Sequence, residues 1–217
     1  MLIATNPSAD QRTCAVKTSP VAKDPLKRAM DILVAGGALL FFAPLLALVA
    51  ILIKLESPGP VLFRQSRGGL NGQAFTIFKF RSMRCQENGS KVVQAKRDDD
   101  RITTLGKIIR KTSIDELPQL INVLRGDMSI VGPRPHALAH DAQYGALIAN
   151  YHLRFRTRPG LTGLAQIKGL RGGTNAIEAM AARVDADNDY IEGWSFGDDV
   201  RIILMTVPHL LMAENAY

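Results

Sequence analysis

Apolar and polar positions are spread unevenly along this chain. Ile32 to Ile53 is an uncharged apolar run of 22 residues. As a helix it would reach about 33 Å, enough to cross the hydrocarbon core of a bilayer. The chain is too short to surround such a segment with an interior of its own, which disfavours a buried core helix. Pro44 lies near the middle of the run. A proline there removes an amide donor and kinks or breaks the helix. Both flanks are basic, with Lys23, Lys27 and Arg28 before the run and Lys54, Arg64 and Arg67 after it. Positive residues favour the cytoplasmic side, so a kinked helix that enters and leaves one leaflet satisfies both flanks. A kinked span is the competing geometry. A second apolar stretch, Val200 to Met212, is shorter, is interrupted by Pro208 and carries Arg201 and His209. It reads either as a core helix or as a helix lying in the membrane plane, with Asp198 and Asp199 suited to its start.

Between these segments the pattern changes to that of a water-exposed domain. Glu56-Ser57-Pro58-Gly59-Pro60 is a turn signal that closes the apolar helix. Short strands are predicted at Val61–Gln65 and Phe75–Phe80, joined through a turn from Gly68 to Gly72. The polar stretch 86–101 predicts a loop, and Leu105 to Lys111 a short helix with a basic end. Leu117, Leu120, Ile121 and Leu124 recur at helical spacing, and Gly126 suits the position after a helix end. Pro118 then falls in the first turn, where a missing amide donor costs little. This places Asp115 near the N-cap and Glu116 in the first turn, at the positive end of the helix, which favours their charged forms. A charged aspartate is what a nucleophile or metal ligand requires. It is also what a plain helix cap requires, and this fragment alone leaves both roles open.

Charge narrows the function classes. The 217 residues carry a formal net charge of +7, which draws anions of any kind. Nucleic acid is the poorer match, because Trp194 is the only tryptophan and basic residues do not alternate with aromatic ones. Cys14 and Cys85 form no CxxC pair and share no zinc-like grouping with the four histidines. Lys79, Arg81, Arg110, Arg134, Arg154, Arg158 and Arg171 crowd the middle of the chain. Arg134 stands between two prolines in Gly132-Pro133-Arg134-Pro135, and a rigid guanidinium fits phosphate oxygens through its planar fork of donors.

Ordered blocks run from about residue 24 to about residue 210: Lys27-Arg28…Asp31, Lys54-Leu55-Glu56-Ser57-Pro58-Gly59-Pro60, Phe78-Lys79-Phe80-Arg81-Ser82-Met83, Arg110-Lys111-Thr112-Ser113-Ile114-Asp115-Glu116-Leu117-Pro118-Gln119, Gly132-Pro133-Arg134-Pro135 and Arg158-Pro159-Gly160-Leu161-Thr162-Gly163. Together they resemble the bacterial sugar transferase family, the small monotopic phosphoglycosyl transferases that begin exopolysaccharide, O-antigen and glycoprotein glycan assembly. The chain looks like the minimal catalytic form.

The resemblance implies an α+β monotopic membrane protein: a flexible tail over 1–22, a re-entrant helix kinked at Pro44 over 23–56, and a small mixed α/β catalytic domain with amphipathic interfacial helices over 57–217. It places that domain on the cytoplasmic face of the bacterial inner membrane, among inner-membrane lipids. By resemblance Asp115 and Glu116 are the catalytic pair. Asp115 attacks the phosphorus that bears the sugar of a UDP-sugar, with a hexose as the first expectation, and UMP leaves. Undecaprenyl or another polyprenyl phosphate then takes the phosphosugar from the aspartyl intermediate. Glu116 is expected to hold Mg²⁺. Arg110 and Arg134, then Lys79 and Arg81, are expected to bind substrate phosphates, with Asp127 and Arg171 in support, although Asp127 also suits a plain turn. Two departures stand out. Ala43-Pro44 occupies the kink where family members often carry Ser-Pro, and Leu164-Ala165-Gln166 lacks the tryptophan that many relatives place before the glutamine. A homodimer is compatible with the sequence but has no signature in it. A non-enzymatic membrane scaffold would explain the apolar run, yet gives no reason for Asp115-Glu116 beside Arg110 and Arg134.

Overall fold

A computed structural model describes residues 17–84, 99–170 and 176–211. Its dominant element is helix α1, Pro25–Glu56, 32 residues long. Asp24 starts it by accepting the Lys27 amide at 2.8 Å, with Pro25 in the first helical position. The helix runs through Pro44 to Glu56. Among the described residues it is the one helix long and apolar enough to cross a membrane. Its middle is bare: Leu40 and Phe41 are 79% and 77% exposed. Its two ends are not. Lys27, Asp31 and Ala35 are buried near the start, and Val49 and Ile53 near the finish.

The domain docked on those ends mixes short strands with helices. Strands β1, Leu62–Gly68, and β2, Ala74–Phe80, form an antiparallel hairpin in which Phe63 pairs with Lys79 and Arg64 with Phe78. Helix α2, Thr104–Lys111, is capped by Thr103, whose hydroxyl accepts the Gly106 amide. Helix α3, Gln119–Arg125, stops at Gly126, which adopts φ 88° as expected for the residue after a helix end. Strand β3, Ser129–Val131, pairs in parallel with β4, Gly160–Thr162. Helix α4, Leu138–Leu147, follows β3 and packs on β1, helix α5, Leu164–Ile167, follows β4, and α6, Ile177–Glu192, and α7, Phe196–Leu211, close the domain. One apolar cluster joins Ala35 of α1 to Ile77, Leu120, Val123, Ile130, Val131, Ile191 and Ile202; another joins Val49 and Ile53 to Phe80 and Ile109.

Two expectations need correction here. The flexible tail does not extend to residue 22, because Ser19, Val21 and Ala22 are buried and Val21 belongs to the main apolar cluster. Of the basic residues before the apolar run, Lys23 is exposed, but the other two are not a free positive flank. Lys27 is buried, and Arg28 donates to the carbonyls of Val123 and Leu124 at the end of α3. A guanidinium there completes the orphan carbonyls and meets the negative end of the helix dipole.

Candidate active site

Asp115 and Glu116 sit in a 3-10 turn, Ile114–Glu116, that precedes α3 and is separated from it by Leu117 and Pro118. They therefore do not occupy the N-cap and first turn of α3, as the spacing suggested. Ser113 enters the turn with φ 56°. Both carboxylates are buried, at 7% and 8% exposure, yet they have different surroundings. Arg134 grips Glu116 with both guanidinium ends, one of them Nη1 to Oε2 at 3.2 Å, and Lys79 Nζ adds 2.9 Å to Oε1. Asp115 makes no ion pair within 4 Å among the described residues, although Lys79, Arg110 and Arg134 all act on it through charge. Arg110 keeps its Nε buried without a hydrogen-bond partner among the described residues.

Burial and the adjacent Glu116 push the Asp115 carboxyl up to about 6; the three cations pull it down without overcoming them. The expectation that a helix terminus stabilises its charged form is thus reversed by desolvation. Lys79 is lowered by its own burial and partly restored by Glu116, whereas Arg134 is raised, chiefly by the negative charge of Glu116. The arrangement gives one carboxylate locked to two cations and a neighbour whose oxygens stay uncommitted.

The supporting elements explain the placement. Asn122, fully buried on α3, accepts the Phe78 amide at 3.0 Å and donates to the Thr76 carbonyl at 2.7 Å, tying β2 and its Lys79 to the segment after the carboxylate pair. Arg154 braces the other side. Its Nη2 donates to the Arg134 carbonyl at 2.7 Å and to Asp187 at 2.8 Å, and its Nη1 donates to His136 Nδ1 at 2.8 Å. Nδ1 is then an acceptor, so His136 carries its proton on Nε2; burial and Arg154 hold its pKa well below the ordinary range. Neither His136 nor the Arg154–Asp187 pair was singled out from the sequence. Pairings across 18 and 33 positions leave no periodic signal.

Of the residues expected at the site, Asp115, Glu116, Lys79, Arg110 and Arg134 come together. Arg81 does not join them. Its guanidinium donates to the carbonyls of Ser57 and Pro58 at 2.7 and 2.6 Å, capping the end of α1. Asp127 serves the turn after α3, accepting from Asn122 Nδ2 at 3.1 Å. Arg171 lies outside the described residues. No cluster of three or more acidic, histidine or cysteine ligands exists among the described residues. The donor set is two adjacent carboxylates, which suits a hard cation that completes its shell with substrate phosphates and water.

Comparison with known proteins adds relatives. The model of the family described as "Bacterial sugar transferase" matches residues 22–213. A UDP-glucose:undecaprenyl-phosphate glucose-1-phosphate transferase of Caulobacter vibrioides is 59% identical over 197 residues, covering 91% of this chain and 74% of that protein. The Escherichia coli protein of the same description is 52% identical over 192 residues, covering 88% of this chain and 41% of its own length. An Aeromonas hydrophila UDP-N-acetylgalactosamine-undecaprenyl-phosphate N-acetylgalactosaminephosphotransferase is 44% identical, covering 88% and 45%. The chain thus spans most of the first of these and less than half of the other two.

Proposed function

This chain belongs to the bacterial sugar transferase family, and from that premise we propose that it moves a sugar 1-phosphate from a UDP-sugar to undecaprenyl phosphate. The observation that carries the reading is the unequal pair: Glu116 bound to Arg134 and Lys79, Asp115 beside it and unclaimed. In the first step an Asp115 Oδ attacks the sugar-bearing phosphorus. A P–O bond forms to the aspartate, the P–O bond to UMP breaks, and UMP leaves with that electron pair. In the second step a phosphate oxygen of undecaprenyl phosphate attacks the same phosphorus and the Asp115 carboxylate departs, leaving a polyprenyl diphosphate sugar. Arg134, Lys79 and Arg110 neutralise charge on the transferring group and hold it in line. Glu116 is the residue that would hold Mg²⁺, and the donor phosphates would then compete for Arg134. When bound, the ion supplies charge neutralisation on the diphosphate.

Glucose is the first sugar to test, because two of the three relatives above are described as glucose-1-phosphate transferases. The membrane arrangement is part of the proposal. Both ends of α1 are packed on one polar domain, and a polar domain cannot straddle a bilayer with them. A re-entrant α1 places its exposed middle, around Leu40, Phe41 and Pro44, within one leaflet. The exposed apolar positions Ile108 on α2, Ile121 and Leu124 on α3, and Leu204 on α7 lie at the interface, and the domain faces the cytoplasm.

Purified protein with Mg²⁺, undecaprenyl phosphate and a panel of UDP-sugars tests the reading by UMP release. Release from one donor, abolished in Asp115→Asn, is the expected result. No release from any UDP-sugar in a membrane-like environment would refute it.

A further inference from the structure

Lys27 lies in the first turn of the membrane helix, yet it is only 3% exposed. Its ammonium has three protons and three acceptors: Asp199 Oδ2 at 2.8 Å, the Tyr190 hydroxyl at 3.0 Å and the Val131 carbonyl at 3.0 Å. Asp199 on α7 is fully buried and also accepts from Tyr190 at 2.7 Å and Trp194 Nε1 at 3.0 Å. One turn further along α1, Asp31 Oδ1 accepts from the Ile130 amide at 2.8 Å and the Ser129 hydroxyl at 2.9 Å. Every residue of β3 is therefore gripped from α1. Anchorage in lipid needs none of these contacts.

We propose that Lys27 is a positioning residue for the transfer, fixing the end of β3 from which Arg134 reaches Glu116; this rests on the role given above to the Arg134–Glu116 pair. Only Gly132 and Pro133 separate Val131 from Arg134. Neither provides slack. A Cβ on Gly132 would lie 2.5 Å from the Arg158 carbonyl and 3.0 Å from the Gly160 amide, so the backbone is wedged against β4. The proline ring fixes φ at the next position. On the far side the Arg134 carbonyl is held by Arg154. A shift at Val131 passes along this stiff path to the guanidinium on Glu116. Seating of the first two turns of α1 is thereby a condition for an assembled site, and a protein with an unseated membrane helix is inactive.

The test uses full-length protein in nanodiscs with UDP-glucose as donor. Lys27→Met/Asp199→Asn removes both charges and strands neither in the interior. The folded double variant should lose about tenfold or more in kcat. Its KM for UDP-glucose should stay within about twofold, as loss of an interaction expressed in the transition state requires. Hydrogen exchange over residues 129–136 should rise relative to wild type, while exchange over α2 stays unchanged. A folded variant with wild-type kcat, or one that loses only affinity, overturns the proposal. Unchanged exchange over 129–136 overturns it independently of turnover. Should wild type release no UMP from any donor, the functional reading fails by itself and the exchange comparison still decides the coupling. If the double variant does not fold, Tyr190→Phe removes a hydroxyl that accepts from Lys27 and is shared with Val131 and Asp199, and leaves the Lys27–Asp199 pair in place. It should lower kcat by about threefold, the scale of one hydrogen bond, and unchanged kcat and exchange in that variant overturn the proposal.

Discussion

Replacing Asp115 by asparagine should abolish transfer and make the protein more stable, by an amount that depends on pH. Burial and Glu116 raise this carboxyl from its usual 3.8 to about 6. The folded state therefore binds the proton more tightly than the unfolded state. Below pH 3.8 both states are protonated, and the contribution to stability is fully present. As pH rises through about 6 the folded protein must ionise Asp115 against its surroundings, and that contribution is lost. A shift of roughly two units corresponds to about 3 kcal/mol. Asparagine keeps the shape of the protonated acid without the titration. The variant should match wild type near pH 4 and gain about 3 kcal/mol by pH 8, or about 6–12 °C in Tm for a chain of this size. Thermal melts of both proteins in the same detergent from pH 4 to pH 8 measure the gap. A gap that is absent at pH 8, reversed in sign, or widening toward acid would refute the assignment of Asp115 as a carboxylate ionised at a cost.

Three further outcomes follow from the same geometry. The kcat/KM for the nucleotide sugar should fall as pH drops through about 6, because the attacking group must be ionised; a profile flat to pH 5 argues against Asp115 as nucleophile. Arg134→Lys keeps the charge but loses the two-ended grip on Glu116, and steady-state assays should show a kcat reduced about 100-fold, the scale of losing one preorganised donor. Arg81→Met should cost about 2 kcal/mol in denaturation experiments through the lost cap on α1, while KM for the donor stays unchanged; a raised KM would return Arg81 to the phosphate site.

Much of this architecture is legible in local pattern. The apolar run, the two strand segments of the hairpin and the Leu117–Leu124 spacing are short-range signals, and each appears as an element, although β1 runs on to Gly68 and α3 begins only at Gln119. The carboxylate pair stands out through the family resemblance of the block around it, since the local pattern alone leaves a plain helix cap open. Three features are not legible. Lys27 reads as a membrane-flanking charge because its partner Asp199 is 172 positions away. Arg81 reads as a phosphate ligand because it stands with Lys79 in one block of the family resemblance; only the fold shows that it turns back to the Ser57 and Pro58 carbonyls. The ionisation of Asp115 is misjudged because a helix terminus is a local feature, whereas the desolvation that outweighs it comes from the whole domain.

Seen from Glu116, helix α1 reaches the two cations that hold it, Lys79 and Arg134, by routes that differ in stiffness. Its end is capped by Arg81, two residues beyond Lys79; its beginning clamps β3, three residues before Arg134. Lys79 belongs to a hairpin strand with seven paired positions, and Asn122 pins the same strand to α3. Loss of the Arg81 cap is therefore absorbed before it reaches Lys79, and the cost appears as stability. Arg134 has no such buffer. Strand β3 has three residues, and a wedged glycine and a proline carry its position directly to the guanidinium. Disturbing one end of α1 should change how long the protein survives heating; disturbing the other should change how fast it turns over. On the proposed function, helix α1 is thus coupled to the chemistry through its first two turns, where polar side chains are buried that lipid anchorage does not require.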